Sequence, residues 1–427
     1  MRAYRPLFLM ILLGVSVGLC GTIFRISVDI LGNFIHLLLA KCTNFYLRVF
    51  LSASFSSLAV YFTWLMVRKY SPESAGSGVQ EVDRALLRRA NMRWRSVIPV
   101  KFFGGIVALS SMLVLGREGP TIQLGANLGA MFADKFNLNE RDKKRNIAAG
   151  AAAGLATAFN APLAGILFIF EEIRPEFQFT WVHIWGVSVV CMVAIMILQG
   201  IMGDIHAIHL QEFEAPSAYT MIIFLPLGLI IGVFGYIFNK SLIGTLNLLD
   251  KLSTSKRTIF VILSAALIGI LAETNPLVVG GGYHILDHTF HASESSLMLF
   301  LMLVLRFALG LISYGIGVPG GIFAPILALG GVAGIFISSC LYKLSFLFAI
   351  EPGMFAIVGM AGLFAAVVRS PLTAVMLIIE MTKNGQMVLP LLCTCFVACS
   401  FMNLMDNPSI YTQLLDRESL KQLTTKY

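Results

Sequence analysis

Charge is what this chain of 427 residues lacks most. Lys and Arg together number 31 and Asp and Glu 23, only 13% of the sequence, whereas 57% is hydrophobic. With a mean hydropathy of +0.82, that balance excludes a soluble globule, whose surface must be largely polar. Cysteine is also sparse. Most of the seven lie inside apolar runs, as Cys393, Cys395 and Cys399 do in "LLCTCFVACS", so they form neither a disulfide framework nor a metal-ligand pattern and read as buried, reduced and structural.

Other absences narrow the function. No Lys-Ser/Thr follows the glycine-rich turns, which excludes a P-loop. No small-x-small cleavage site follows the first apolar run, Leu19 precedes Cys20, and mostly apolar sequence continues to Ala40, so the amino terminus is not read as a signal peptide. An intramembrane serine protease built on Ser77 lacks a general base, since only His36 and His183 stand near the ends of apolar runs; the chain is not read as an enzyme. In "YHILDHTFHASE", His284 and His288 have helical metal spacing, with Asp287 and His291 nearby. The segment reads as an exposed connection without a carboxylate frame, so no metal is expected.

What is present is a series of apolar runs. Leu7 to Leu19, Met221 to Phe238, "IFVILSAALIGILA" and "LMLFLMLVLRFALGLI" approach or reach the roughly 20 residues that a helix needs to cross hydrocarbon. Others are short or broken by Gly and Pro. The chain is therefore expected to be an all-α polytopic membrane protein in which some helices do not cross completely. Its net charge of +8 concentrates between Arg68 and Arg95 and in "DKKRN", Asp142 to Asn146. These residues flank membrane segments, which points to cytoplasmic loops rather than to nucleic acid.

The sequence also repeats. A shift of 205 sets Lys101 on Arg306, Gly105 on Gly310, Gly116 on Gly321, Gly125 on Gly330 and Gly129 on Gly334; further on, a shift of 209 sets Pro162 on Pro371 and Glu171 on Glu380. Two homologous halves with helices interrupted at matching places are the pattern of secondary transporters and related channels, whose sites lie at the interruptions. Pattern alone leaves open whether the halves are inverted or parallel.

The interruptions carry the chemistry. In "GGIFAPILALGG" Pro325 suits the first turn of a helix that starts near Phe323, leaving the amides of Ile322, Phe323 and Ala324 without intrahelical partners. "GREGP" leaves those of Arg117, Glu118 and Gly119 in the same state, and "AGSGVQEV" bends the backbone around the Ser77 hydroxyl. Unpaired donors in hydrocarbon cost about several kcal/mol each; an anion satisfies them, and the helix dipole favours it. Glu118 can fold onto such amides as a tethered competitor and leave when protonated. Glu171 and Glu172 point about 100° apart on a helix, so at most one faces the interior, while the other pairs at the interface, for instance with Arg174. Tyr411, beyond the last apolar run, is either an interface anchor or a donor to an anion.

Together "GSGVQE", "GREGP", "GGIFAP" and the late "IYTQLL" resemble the four signature regions of the CLC chloride channels and transporters, and the resemblance covers about Arg68 to Leu415. "LVLGREGPTIQLG" and "AAAGLATAFNAPLAGILFIFEE" are similar to bacterial proton/chloride exchangers in particular. The resemblance implies one CLC transmembrane domain over 1–427: an inverted repeat of tilted, often half-membrane helices at about 7–200 and 218–405, and a pore-closing helix at about 406–420. It implies a homodimer in the bacterial inner membrane with cytoplasmic termini, no appended nucleotide-binding domains, and no cofactor beyond chloride as transported ligand. Ser77, Tyr411 and the amides of Ile322 and Phe323 are then expected to bind chloride, with Arg117 and Gly119 adding backbone to a further anion position. Glu118 is expected to gate and to take protons from outside, and Glu172 to relay them from inside. That makes the expected function proton-coupled chloride antiport, with a passive chloride channel of the same fold as the alternative. Two residues depart from the pattern: Gln80 stands where relatives commonly have proline, which loosens the expected turn, and Lys383 stands where acidic residues are frequent.

Overall fold

Eight helices among the described residues are long and apolar enough to cross a membrane, as a chain must be whose backbone polar groups find no water partners in lipid. The computed structural model describes residues 5–87, 91–172, 181–203, 213–214, 216–291, 294–343 and 351–424; Arg174 lies outside them. The first half holds α1 (Arg5–Ala40), α2 (Phe45–Tyr70), α3 (Val79–Leu86), α4 (Trp94–Ser110), α5 (Glu118–Lys135), α6 (Glu140–Phe159), α7 (Pro162–Glu172) and α8 (Trp181–Met202). A single turn, α9 (Ala218–Met221), precedes the second half. That half holds α10 (Phe224–Asp250), α11 (Thr254–Thr274), α12 (Tyr283–His291), α13 (Ser296–Ile316), α14 (Phe323–Lys343), α15 (Pro352–Val368), α16 (Pro371–Thr382) and α17 (Val388–Leu404), and α18 (Ile410–Thr424) closes the chain. The protein is an all-α polytopic membrane protein, and α3, α7, α12 and α16 are too short to cross.

Two expectations need revision. The run from Leu7 to Leu19 is only the first part of α1, a helix of 36 residues. "YHILDHTFH" is not an exposed connection but α12, whose Ile285, Leu286 and Thr289 are buried while His284 and Asp287 face outward. Apolar residues at those spacings share one helical face.

The halves repeat each other in packing as well as in sequence. Helix α5 lies on α6 as α14 lies on α15, and α1 lies on α8 as α10 lies on α17. Both major pairs cross at glycines: a methyl group on Gly125 would run into the carbonyl oxygen of Gly150, and one on Gly330 into that of Gly359. Such small-residue contacts let helix backbones approach where no hydrophobic effect drives association.

Across the halves, α2 packs on α11 and α7 on α16, and two carboxylates fix the second pair reciprocally. Glu380, in the last turn of α16, accepts the N–H groups of Leu163 at 3.0 Å and Ala164 at 2.8 Å, at the start of α7. Glu171, in the last turn of α7, accepts those of Leu372 at 2.9 Å and Thr373 at 2.6 Å, at the start of α16. Each helix begins with proline, so these amides are the orphans of its first turn, and a carboxylate satisfies them better than a neutral cap. The end of each helix meets the beginning of the other, so the halves are inverted.

Glu171→Gln and Glu380→Gln are each expected to lower unfolding stability by about 1 to 3 kcal/mol through loss of charge-assisted hydrogen bonds, read by denaturation in detergent. Unchanged stability in both variants would show that these helix starts are satisfied in another way.

Candidate functional site

Several helices here start on a side chain. Asn44, Asn139, Ser253 and Ser295 each accept an amide from the first turn of α2, α6, α11 and α13. Helix α5 has no side-chain cap at its N-cap residue, and no backbone acceptor among the described residues takes the N–H of Arg117, Glu118 or Gly119, or that of Ile322, Phe323 or Ala324 at the start of α14; the Glu118 carboxylate faces two of them, those of Glu118 and Ala324. Instead of capping these helices, the chain brings them together.

Backbone bridges do so. Gly116 and Gly321 exchange hydrogen bonds of 2.8 and 2.7 Å; Gly76 donates to Val318 at 3.0 Å, and Gly320 donates to Gly76 at 3.0 Å. The three turns nominated by the sequence thereby converge, with the open ends of α5 and α14 beside the Ser77 turn. Gly119 lets that turn approach: a β-carbon there would sit 2.8 Å from Ser77 Cα. Tyr314, at the end of α13, accepts the Ser77 N–H at 3.5 Å.

Ser77 and Tyr411 are fully buried. Their hydroxyls face one another, yet neither has a hydrogen-bond partner among the described residues. The Tyr411 ring stacks on Phe323, centroids 5.8 Å apart and planes at 26°, and Phe364 flanks Phe323 at 5.0 Å. Hydroxyls left unpaired at such depth are costly unless something accepts from them. Two hydroxyls and two or more amide donors aimed at one place suit an anion.

Two basic side chains brace the turns around the site. Lys101 and Arg306 are fully buried and bind only carbonyl oxygens. Lys101 Nζ donates to Ser74 at 3.2 Å and Gly76 at 2.7 Å, and the Arg306 guanidinium donates to Val279 at 3.1 Å and Gly280 at 2.8 Å. Neither makes an ion pair among the described residues, so each is held by carbonyl dipoles alone.

Two carboxylates are connected to the hydroxyl pair by short contacts, Glu118 through the neighbouring Gly119 and Glu172 through Ser409. Glu118, fully buried, faces the amides of its own residue and of Ala324; its Oε1 accepts the Tyr283 hydroxyl at 2.9 Å, and Oε2 has no close partner. Arg117 reaches Asp29 of α1 at 3.4 Å and lies over the Tyr283 ring at 5.5 Å. Glu172, at the end of α7, accepts the hydroxyls of Ser409 and, at 3.3 Å, Ser370. Ser409 in turn accepts the N–H groups of Tyr411 at 3.2 Å and Thr412 at 3.4 Å, which ties Glu172 to the helix that carries Tyr411. Asp83 of α3 lies close enough to Glu172 to interact with its charge.

Ser77, Glu118, Gly119, Ile322, Phe323 and Tyr411 are thus gathered at one place, with Arg117 and Glu172 beside it. Gln80, at the start of α3, donates to Glu418 of α18 at 3.3 Å, beside an Arg84 to Glu418 ion pair of 2.6 Å, so the Ser77 turn is tethered to the closing helix without proline. Lys383 ends α16 in the left-handed conformation with φ of 58°. Tyr283, Ser409 and Tyr314 escaped the sequence reading, because each meets its partner only through tertiary contact.

The model of the family described as voltage-gated chloride channel matches residues 58–403. Among curated proteins the chain is similar to the H(+)/Cl(-) exchange transporter ClcA of Vibrio cholerae, 39% identical over 423 residues that cover 97% of this chain and 90% of that one. ClcA of Vibrio vulnificus is 40% identical over 416 residues, 96% and 89% of the two chains. Among solved structures it resembles a slow cyanobacterial Cl-/H+ antiporter, with a TM-score of 0.93 and 34% identity over 98% of this chain and 99% of that one.

Gly119→Ala is expected to weaken halide binding by about tenfold or more, equivalent to about 1.4 kcal/mol, because the added methyl forces the Ser77 turn away. Gly385→Ala, where a β-carbon meets nothing within 4 Å, serves as control in calorimetric titrations with chloride and bromide. Equal affinities in the two variants would rule out the Ser77 turn as part of an anion site.

Proposed function

The chain belongs to the voltage-gated chloride channel family, and we propose that it is a proton-coupled chloride antiporter that moves Cl- and H+ in opposite directions across the membrane. The observation that carries this reading is the pair of buried, unpartnered hydroxyls of Ser77 and Tyr411 beside the open start of α14, with a carboxylate connected to each. Chloride is the transported ligand and no cofactor or catalytic step is invoked.

The mechanism follows from competition for the same donors. Chloride accepts from Ser77, Tyr411 and the amides of Ile322 and Phe323. Deprotonated Glu118 offers a tethered negative charge to the adjoining amides of α5 and α14, including those of Arg117 and Gly119, and blocks the way out. Protonation cancels that charge, so the side chain leaves and chloride passes. A proton taken up by Glu118 from one side must reach the other, and Glu172, held by two hydroxyl donors, is the station there.

Orientation follows from charge. Glu172 neighbours Asp83, and Arg84 next to it lies in the basic stretch from Arg68 to Arg95 that marks a cytoplasmic face. Glu172 is then the internal proton site and Glu118 the external one, with both termini cytoplasmic. The bacterial relatives support placement in the plasma membrane, and family membership supports a homodimer in which each subunit has its own pathway.

In proteoliposomes an imposed chloride gradient is expected to drive protons uphill. Glu172→Gln should abolish proton movement and leave chloride flux, and Glu118→Gln should uncouple the two in the same way. Dissipation of a chloride gradient without proton movement by the native protein would instead identify a passive channel, and proton pumping that survives Glu172→Gln would remove that residue from the pathway.

A further inference from the structure

We infer that Tyr283 is a positioning residue of the external gate: its hydroxyl holds the deprotonated Glu118 carboxylate over the open helix starts and so sets the pH at which the gate releases. The inference rests on the role proposed for Glu118.

The inverted repeat places Tyr283 there. "GSGV", Gly76 to Val79, opens α3, and "GGGY", Gly280 to Tyr283, opens α12. Gly76 and Gly78 have φ of +60° and +82°, and Gly280 and Gly282 have +70° and +112°, a region in which side chains with a β-carbon are strained. A buried cation braces each turn through its carbonyls, Lys101 in the first half and Arg306 in the second. The turns share this frame and differ in what they present: Ser77 lies between the two left-handed glycines of the first, whereas Gly281 takes that place in the second and the phenol comes from Tyr283, one residue past the turn, where the first half has Val79.

Among the described residues that phenol makes the one side-chain hydrogen bond to the Glu118 carboxylate, 2.9 Å to Oε1. Its ring is fixed by the Arg117 guanidinium at 5.5 Å. The other charged groups around the pair are Arg25 and Asp29 of α1 and Arg306 behind the Gly282 turn; the first turn of α14, "FAPI", contributes none. A donor to a carboxylate favours its charged form, so the hydroxyl stabilises the blocking state against protonation. Removing it makes Glu118 easier to protonate.

Tyr283→Phe keeps the ring against Arg117 and deletes only the donor. The carboxyl stretch of Glu118, isolated as the infrared difference between the full-length protein and its Glu118→Gln variant in detergent, reports protonation without any transport. Its titration midpoint is expected to rise by about one pH unit in Tyr283→Phe, the shift for one charge-assisted hydrogen bond; an unchanged or lower midpoint overturns the inference. In proteoliposomes the pH profile of chloride flux should move up by the same amount with coupling retained, and a profile that stays in place counts equally against it. A native protein that moves no chloride defeats the antiport reading, while the infrared titration still decides the role of Tyr283. Should Tyr283→Phe fail to fold, incorporation of 3-fluorotyrosine, whose phenol is a stronger donor, is expected to lower the midpoint, and no movement overturns the inference.

Discussion

Peptide N–H groups left open at two helix starts inside a hydrocarbon environment are the constraint around which this molecule is arranged. A membrane helix that begins at the surface can cap itself with a side chain or with water. Helices α5 and α14 begin in the interior, where neither is at hand, and the usual Asn or Ser cap is missing. Their amides must be satisfied by something that approaches from outside the helix, and a carboxylate or a halide is the acceptor matched to a positive helix end.

Holding two such ends face to face is the task of the remaining structure. The Gly116 and Gly321 bridge sets their separation, and the paired glycines of α5 with α6 and of α14 with α15 let the supporting helices come close enough to keep it. Glu171 and Glu380 perform for α7 and α16 what is left undone for α5 and α14: they cap interior helix starts permanently, each from the opposite half. Each of these carboxylates bonds two amides of one helix start, whereas Glu118 faces one amide of each open start, its own and that of Ala324, and its Oε2 makes no close hydrogen bond.

Much of this was legible in the sequence because it is written in local chemistry. Gly and Pro mark where a helix must break and restart, so the three turns and the start of α14 at Phe323 could be placed by spacing alone. The match of Glu171 with Glu380 was visible as an aligned pair, although its meaning, reciprocal capping, needed coordinates. Helix α12 was misread because nine residues with three histidines look polar, and the face that buries Ile285, Leu286 and Thr289 is too short to give a clear period. Tyr283, Ser409 and the tether from Gln80 to Glu418 left no local mark, since each contact spans more than 150 residues of chain.

The repeat itself tells scaffold from chemistry. Where the two halves carry like residues, the residues brace: Lys101 with Arg306, Gly125 with Gly330, Glu171 with Glu380. The residues proposed to carry ions are among those that the same shifts pair with unlike ones. Glu118 falls on Phe323, so one open helix start carries an acid and the other an aromatic ring that packs against Tyr411. Glu172 falls on Met381, so only one of the reciprocal helices ends in an acid that faces the Tyr411 helix rather than a cap. An exactly symmetric molecule would offer ions the same environment from both sides and could not carry the two different proton stations proposed for this one. Duplicated backbone supplies the cradle, and substitution at a few mirrored positions supplies its direction.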